Sequence, residues 1–188
     1  MSGEEGLERI GARLRNIQTA DFRGTVFRSV APRYANPADL ISGQGARRSG
    51  GRWSPAGIHA VYGSLTLETA LAESLAAIRY YGLPPEAALP RTFVAIAVRL
   101  KRVLDLADGN VRRALGVSER RMVRTDWRSD LSAGRVPVTQ VIGRAAYDAG
   151  IEALQVPSAA VPDGRNLVIF PALLAIGSSV EVLGNGKL

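Results

Sequence analysis

The chain has 188 residues, 46% of them hydrophobic and 22% charged, which suits a single packed domain and is too apolar for a disordered one. It has no cysteine and a single histidine, so disulfides, thiolate nucleophiles and metal sites built from several histidines are excluded. The net charge of +7 is almost wholly arginine, with lysine only at Lys101 and Lys187.

A basic chain raises nucleic-acid binding as one function class. The arginines, however, are spread along the sequence. Their densest group (Arg112, Arg113, Arg120, Arg121, Arg124 and Arg128) is interleaved with Glu119 and Asp126. Aromatic residues are 6%, too few for a base-stacking platform. A basic binding module therefore stays as the alternative of another class. No apolar run has the length a bilayer needs, and the acidic, amphipathic N-terminus is unlike a signal peptide. A cytoplasmic protein is the expectation.

In chain order, Glu4 to Leu14 reads as an amphipathic helix and residues 1–20 as a peripheral N-terminal arm; residues 21–188 read as one domain. Phe22 to Val30 is a strand carrying Arg28, an arginine that suits a cleft with an anion to meet. Ser42 to Ile58 holds five glycines and three arginines, Arg47, Arg48 and Arg52, and reads as a loop able to cradle phosphate. His59 sits at the edge of the short apolar strand that carries Tyr62. A strand-edge structural role is expected for it.

Thr66 is the expected N-cap, and Gly82 the C′ residue, of a helix with an apolar stripe at Leu67, Ala70, Leu71, Leu75 and Ile78. Glu73 falls off that stripe among small residues, and spacing alone leaves it a solvated glutamate like Glu68. Arg91 to Leu100 is a strand apolar enough for burial on both faces, and residues 103–107 continue or pair with it. Residues 109–128 are helical and basic. A second amphipathic helix carries Val138, Val141, Ile142, Ala145 and Ala149 and ends at Gly150. Three short strands follow, with turns at Pro157-Ser158 and residues 162–166. Strands and helices do not alternate as βαβ units, so the fold class is α+β.

Four segments in register, GARRSGGRW, AVYGS, ALAES and VPSAAVPDGRNLVIFP, resemble the RES-domain family, the toxin halves of bacterial RES–Xre toxin–antitoxin pairs. The resemblance runs from about Phe22 to Pro171. It implies an ADP-ribosyltransferase-like core of short, mostly antiparallel strands with flanking helices. It implies consumption of NAD as substrate without a metal, and an Xre-type antitoxin as partner, with nucleic acid engaged only through that antitoxin. Cleavage of the nicotinamide–ribose bond by hydrolysis or phosphorolysis is the implied activity, and ADP-ribosyl transfer to protein is the alternative.

Carried over by position, the catalytic residues are Arg52, Tyr62, Glu73 and Ser158, and Arg28 matches an upstream arginine of the family. Arg28 is expected to bind NAD together with Arg47 and Gly51 of the glycine loop and Asn166 of the turn after Ser158. Either Arg28 or Arg52 is the family's name-giving arginine, and Arg52 is favoured. The resemblance thus reverses the reading of Glu73 from a solvated residue to a functional one. Ser158 is expected to position ligand rather than attack it, because no histidine lies near it in sequence. One departure is Ser54, where the family commonly has asparagine after GGRW. Another is the long basic segment between Glu73 and Ser158.

Overall fold

The computed structural model describes residues 3–184; the outer ends of the expected domain, 1–2 and 185–188, lie outside them. Two long strands organise the fold. β1 (Ala20–Val30) and β3 (Thr92–Asp105) pair antiparallel from Ala20↔Val103 to Val30↔Thr92. Three short strands, β2 (Val61–Ser64), β4 (Ala153–Pro157) and β5 (Arg165–Ile169), close a ring with them. β3 pairs parallel with β4, β4 antiparallel with β5, β5 antiparallel with β2, and β2 meets β1 at Phe27↔Ser64. β6 (Ser179–Val182) pairs antiparallel with β3 outside the ring. Closure leaves few open edges. The expected mixed α+β class with mostly antiparallel strands is what the chain forms.

Alternation along the strands divides the buried side chains into two cores. Val26, Ile96, Val98, Leu100, Leu167 and Ile169 make one. Leu154, Val156, Val168 and Phe170 point the other way, against helices. β4 and β5 are thus the strands buried on both faces. β3 is not, contrary to the sequence reading: Ile96, Val98 and Leu100 are buried while Phe93 is 44% exposed.

α8 (Val138–Asp148) buries Ile142, Ala145 and Ala146, and Gly150 at φ 71° follows it. Gly143 lets this helix approach closely, because a Cβ there would lie 1.7 Å from the Trp53 carbonyl oxygen. α1 (Gly3–Leu14) packs Ile10 and Leu14 into the same core. Its Arg13 Nη1 donates at 2.6 Å to the carbonyl of Leu115, the last residue of α5 (Gly109–Leu115). The N-terminal helix is therefore an integral part of the core, not a peripheral arm. The basic segment breaks into α5, α6 (Glu119–Arg124) and α7 (Trp127–Ser132), because Asp108, Ser118 and Asp126 each cap a new helix start.

The stretch read as a glycine loop is also mostly helical. α2 (Pro37–Ser42) and α3 (Gln44–Ser49) meet at Gly43, which has φ 68°. α4 (Leu67–Tyr80) starts at the Thr66 cap and stops before Gly82, as expected. Its buried face is different from the expected stripe. Thr69 and Ala70 are buried, whereas Leu67 and Leu71 are 45% and 37% exposed. The small-residue face, Ala70, Glu73, Ala76 and Ala77, turns inward and lines a cleft.

Candidate active site

The cleft is a cavity of about 680 Å³ walled by α3, the turn after it, β2, α4, α7 and the loop after β4. That size is within the ordinary range for small-molecule sites. Glu73 enters it from α4. Ser158 Oγ and Asn166 Nδ2 both donate to Glu73 Oε1, each at 2.7 Å. Among the described residues Oε2 has no hydrogen-bond partner. One carboxylate oxygen is thus fixed and the other is left to the cavity.

Both donors are themselves held. Ser158 Oγ accepts from the Ala160 and Val161 amides at 3.0 and 3.1 Å, so its only proton is committed to Glu73. Ser158 is 5% exposed and saturated, which suits a positioning residue and not a nucleophile. The ligand-facing hydroxyl expected from sequence is turned onto the carboxylate instead. Asn166 Oδ1 accepts from Ser64 Oγ at 2.7 Å, across the β2–β5 pair Ser64↔Asn166. The Glu73 carboxylate, which only accepts, fixes which end of the amide faces it, and Ser64 holds the other end. Ser64 was not singled out in the sequence; nothing but strand register places it here.

The turn from Gly50 to Ser54 supplies the opposite wall. Gly51 N–H donates to the Ser54 carbonyl at 2.8 Å, and Gln140 Nε2 from α8 donates to the Gly51 carbonyl at 2.8 Å. The Gly51 amide is therefore occupied within the turn. What the position requires is room, because a Cβ would lie 2.5 Å from the Tyr62 hydroxyl. That hydroxyl accepts from Trp53 N–H at 3.0 Å and is 2.9 Å from Ser54 Oγ. Ser54 is wholly buried and takes part in fixing Tyr62 from the position where asparagine is common. Burial pushes the Tyr62 hydroxyl up to about 12, with the bonds from Ser54 and Trp53 and the charge of Arg52 acting the other way. Tyr62 stays neutral and presents its partly exposed ring to the cavity.

Arg52 follows Gly51. Its Nη1 donates to the carbonyls of Thr125 at 2.8 Å and Met122 at 3.2 Å, capping the C-terminal end of α6. Burial lowers its guanidinium below the usual range; the Glu73 carboxylate acts upward and Arg128 downward. Arg52 thus joins the cleft to the inserted basic helices. Arg28 also lines the cavity, donates from Nη1 to the Leu40 carbonyl, and is lowered by burial. Arg47 is not brought in. Its side chain is exposed on α3, while Gly45, Ala46 and Ser49 of that helix line the cavity. The amides of Arg47 and Gly50 are spent in helix bonds, to Gly43 O at 3.1 Å and Ala46 O at 2.7 Å. His59 Nδ1 lies 2.8 Å from the Ser42 carbonyl, as a strand-edge structural residue.

The site therefore offers one oriented carboxylate, two half-buried arginines and a neutral aromatic ring. Among the described residues no group of histidine, cysteine or carboxylates is arranged to hold a metal ion. No described helix is long and apolar enough to cross a membrane.

Comparison with known proteins matches residues 25–183 to the RES domain. NAD(+) phosphorylase MbcT of Mycobacterium tuberculosis is 29% identical over 178 residues, covering 88% of this chain and 89% of MbcT, and MbcT of Mycobacterium bovis matches equally. A chain in the crystal structure of the M. tuberculosis MbcT–MbcA toxin–antitoxin complex superposes with a TM-score of 0.72 at 25% identity, covering 96% of this chain and 91% of that one.

Proposed function

The chain belongs to the RES-domain family, and from that membership we propose that it is an NAD-cleaving toxin of ADP-ribosyltransferase-like fold, restrained in the cytoplasm by an Xre-type antitoxin. The observation that carries the reading is the Glu73 carboxylate, pinned through Oε1 with Oε2 left to a cavity that two half-buried arginines share. A carboxylate held this way is preorganised, so it needs no rearrangement as positive charge develops nearby.

In the proposed reaction Arg52 and Arg28 take the diphosphate of NAD and orient its reacting end. The nicotinamide ring lies against Tyr62. As the bond between C1 of that ribose and the ring nitrogen breaks, its electron pair leaves with nicotinamide, which departs neutral. The ribosyl carbon becomes oxocarbenium-like, as in glycoside cleavage, and Glu73 stabilises it or holds a ribose hydroxyl. An oxygen of inorganic phosphate then bonds to that carbon, giving ADP-ribose 1″-phosphate. Phosphate is the acceptor we favour, because the MbcT relatives are named phosphorylases.

The test is incubation of the purified chain with NAD, with and without phosphate, reading nicotinamide release and the mass of the ribosyl product. Release with a phosphate-dependent ADP-ribose 1″-phosphate supports phosphorolysis. ADP-ribose alone indicates hydrolysis, and ADP-ribosylated protein indicates transfer. No nicotinamide release overturns the reading. The partner is tested by growth: co-expression of an Xre-type antitoxin restores cells that the chain alone arrests. A net charge of +7 suits an acidic contact face on that partner.

A further inference from the structure

The inserted basic helices send one cation to the cleft. Arg128, at the start of α7, has its guanidinium carbon 4.8 Å from the Tyr80 ring centroid, 5.6 Å from Tyr81 and 4.3 Å from Trp127. Tyr80 and Tyr81 stand edge to face, with centroids 5.4 Å apart, at the far end of α4. These contacts therefore tie α7 to α4 across the cavity they both line.

Three arginines of the basic segment and α8 are neutralised, Arg112 by Glu119 at 3.0 Å, Arg135 by Asp130 at 2.8 Å and Arg144 by Asp148 at 2.8 Å. Arg120, Arg121 and Arg124 have no such partner among the described residues but do not line the cavity. Among the described residues Arg128 has neither a carboxylate at ion-pair distance nor a hydrogen-bond acceptor. Its N–H donors are not committed to any hydrogen-bond acceptor among the described residues, and a guanidinium fork matches phosphate oxygens. Arg52 lines the same cavity. It uses Nη1 on the end of α6, at Thr125, two residues before Trp127, so one arginine sets the position of the other. Arg128 raises the electrostatic cost of the charge on Arg52, and an anion between them relieves it.

We propose that Arg128 grips the diphosphate of the dinucleotide opposite Arg52, held as an unneutralised cation by Tyr80, Tyr81 and Trp127. This rests on the NAD-cleaving reading and locates within it the preference for a substrate carrying two phosphates. The inserted helices are then part of the substrate site.

Three measurements on wild type, Arg128→Gln and Arg128→Lys test the proposal: NAD cleavage, nicotinamide riboside cleavage and binding of ADP by calorimetry, with a thermal melt of each. Loss of a charge-assisted contact made equally in ground and transition states raises KM for NAD by roughly 10- to 100-fold and leaves kcat near wild type. The riboside has no phosphate, so its cleavage is unchanged in Arg128→Gln. ADP binding weakens by a similar factor, and the lysine variant, which keeps the charge without the fork, falls between. Equal loss on NAD and riboside, or unaltered ADP affinity, overturns the proposal. If wild type releases no nicotinamide, the NAD-cleaving reading fails, and the ADP arm still decides the role of Arg128. Wild type that does not bind ADP overturns it as well.

Discussion

Replacing Glu73 separates charge from scaffold, because both structural hydrogen bonds end on the same oxygen. In Glu73→Gln the amide oxygen can keep the Ser158 and Asn166 donors, and only Oε2 becomes an NH₂ group. Each bond changes from charge-assisted to neutral, about 1 kcal/mol apiece, and the smaller desolvation of an amide acts in the opposite direction. The melting temperature should therefore fall by no more than a few degrees for a chain of this size. Cleavage should fall by about 10²–10³, the usual effect of one lost transition-state electrostatic contact, with NAD affinity little changed. Glu73→Ala should lose the same rate but also leave the buried Ser158 donor unpaired, at about 1–3 kcal/mol, free the half-buried Asn166 amide, and melt distinctly lower. The assay is nicotinamide release at saturating NAD beside thermal melts and an NAD titration. A glutamine variant with wild-type turnover, or one that melts as low as the alanine variant, refutes the argument.

Ser158→Ala should slow cleavage by about 10-fold or more through a loosened Glu73 and leave KM near wild type; a ribosyl–Ser158 adduct trapped in wild type would contradict the positioning role. Gly51→Ala should lower the melting temperature by several degrees, since its methyl would sit 2.5 Å from the Tyr62 hydroxyl, and Gly51→Ala combined with Tyr62→Phe should recover part of that loss. The Tyr62 hydroxyl, raised to about 12, keeps its proton in the fold while the unfolded chain loses it near 10. Its contribution is therefore complete below pH 10 and fades as pH rises toward 12, by at most about 3 kcal/mol. The melting-temperature gap between wild type and Tyr62→Phe should narrow from pH 8 to 11, and a constant gap contradicts the assignment.

Much of the fold was legible because local signals repeat themselves. Caps at Thr66 and glycines at Gly82 and Gly150 delimited helices, and the apolar run 166–170 marked a short strand, although the pattern suggested burial on both faces for 91–100 and not for it. What misled were cases where packing overrides pattern. The leucines of α4 suggested one inward face, yet that helix turns its alanines and Glu73 inward, where small side chains admit a ligand. Glycines at 43 and 45 suggested a loop, but Gly43 joins two short helices. The amphipathic pattern of α1 was read correctly as a helix, though nothing local announced its place in the core.

Within the site, resemblance selected Glu73 and Ser158, and the structure brings them to 2.7 Å. The reading of the glycine loop selected Arg47, which is exposed on α3 and does not line the cavity. The second duties were illegible from sequence. That Arg52 caps α6, that Ser64 orients Asn166 and that Arg128 is boxed by rings all depend on long-range register.

The two groups that hold Glu73 come 85 and 93 residues after it in the chain. During translation at about 5–20 residues per second, Glu73 therefore leaves the peptidyl-transferase centre roughly 5–20 s before Asn166 is added. A nascent chain has α4 but not the β4–β5 hairpin that pins its carboxylate, so it carries the reactive side chain in an unassembled state. For the NAD-cleaving role proposed above, synthesis itself then supplies a delay. Activity begins only with the last strands, and a partner already present meets each new molecule as it completes.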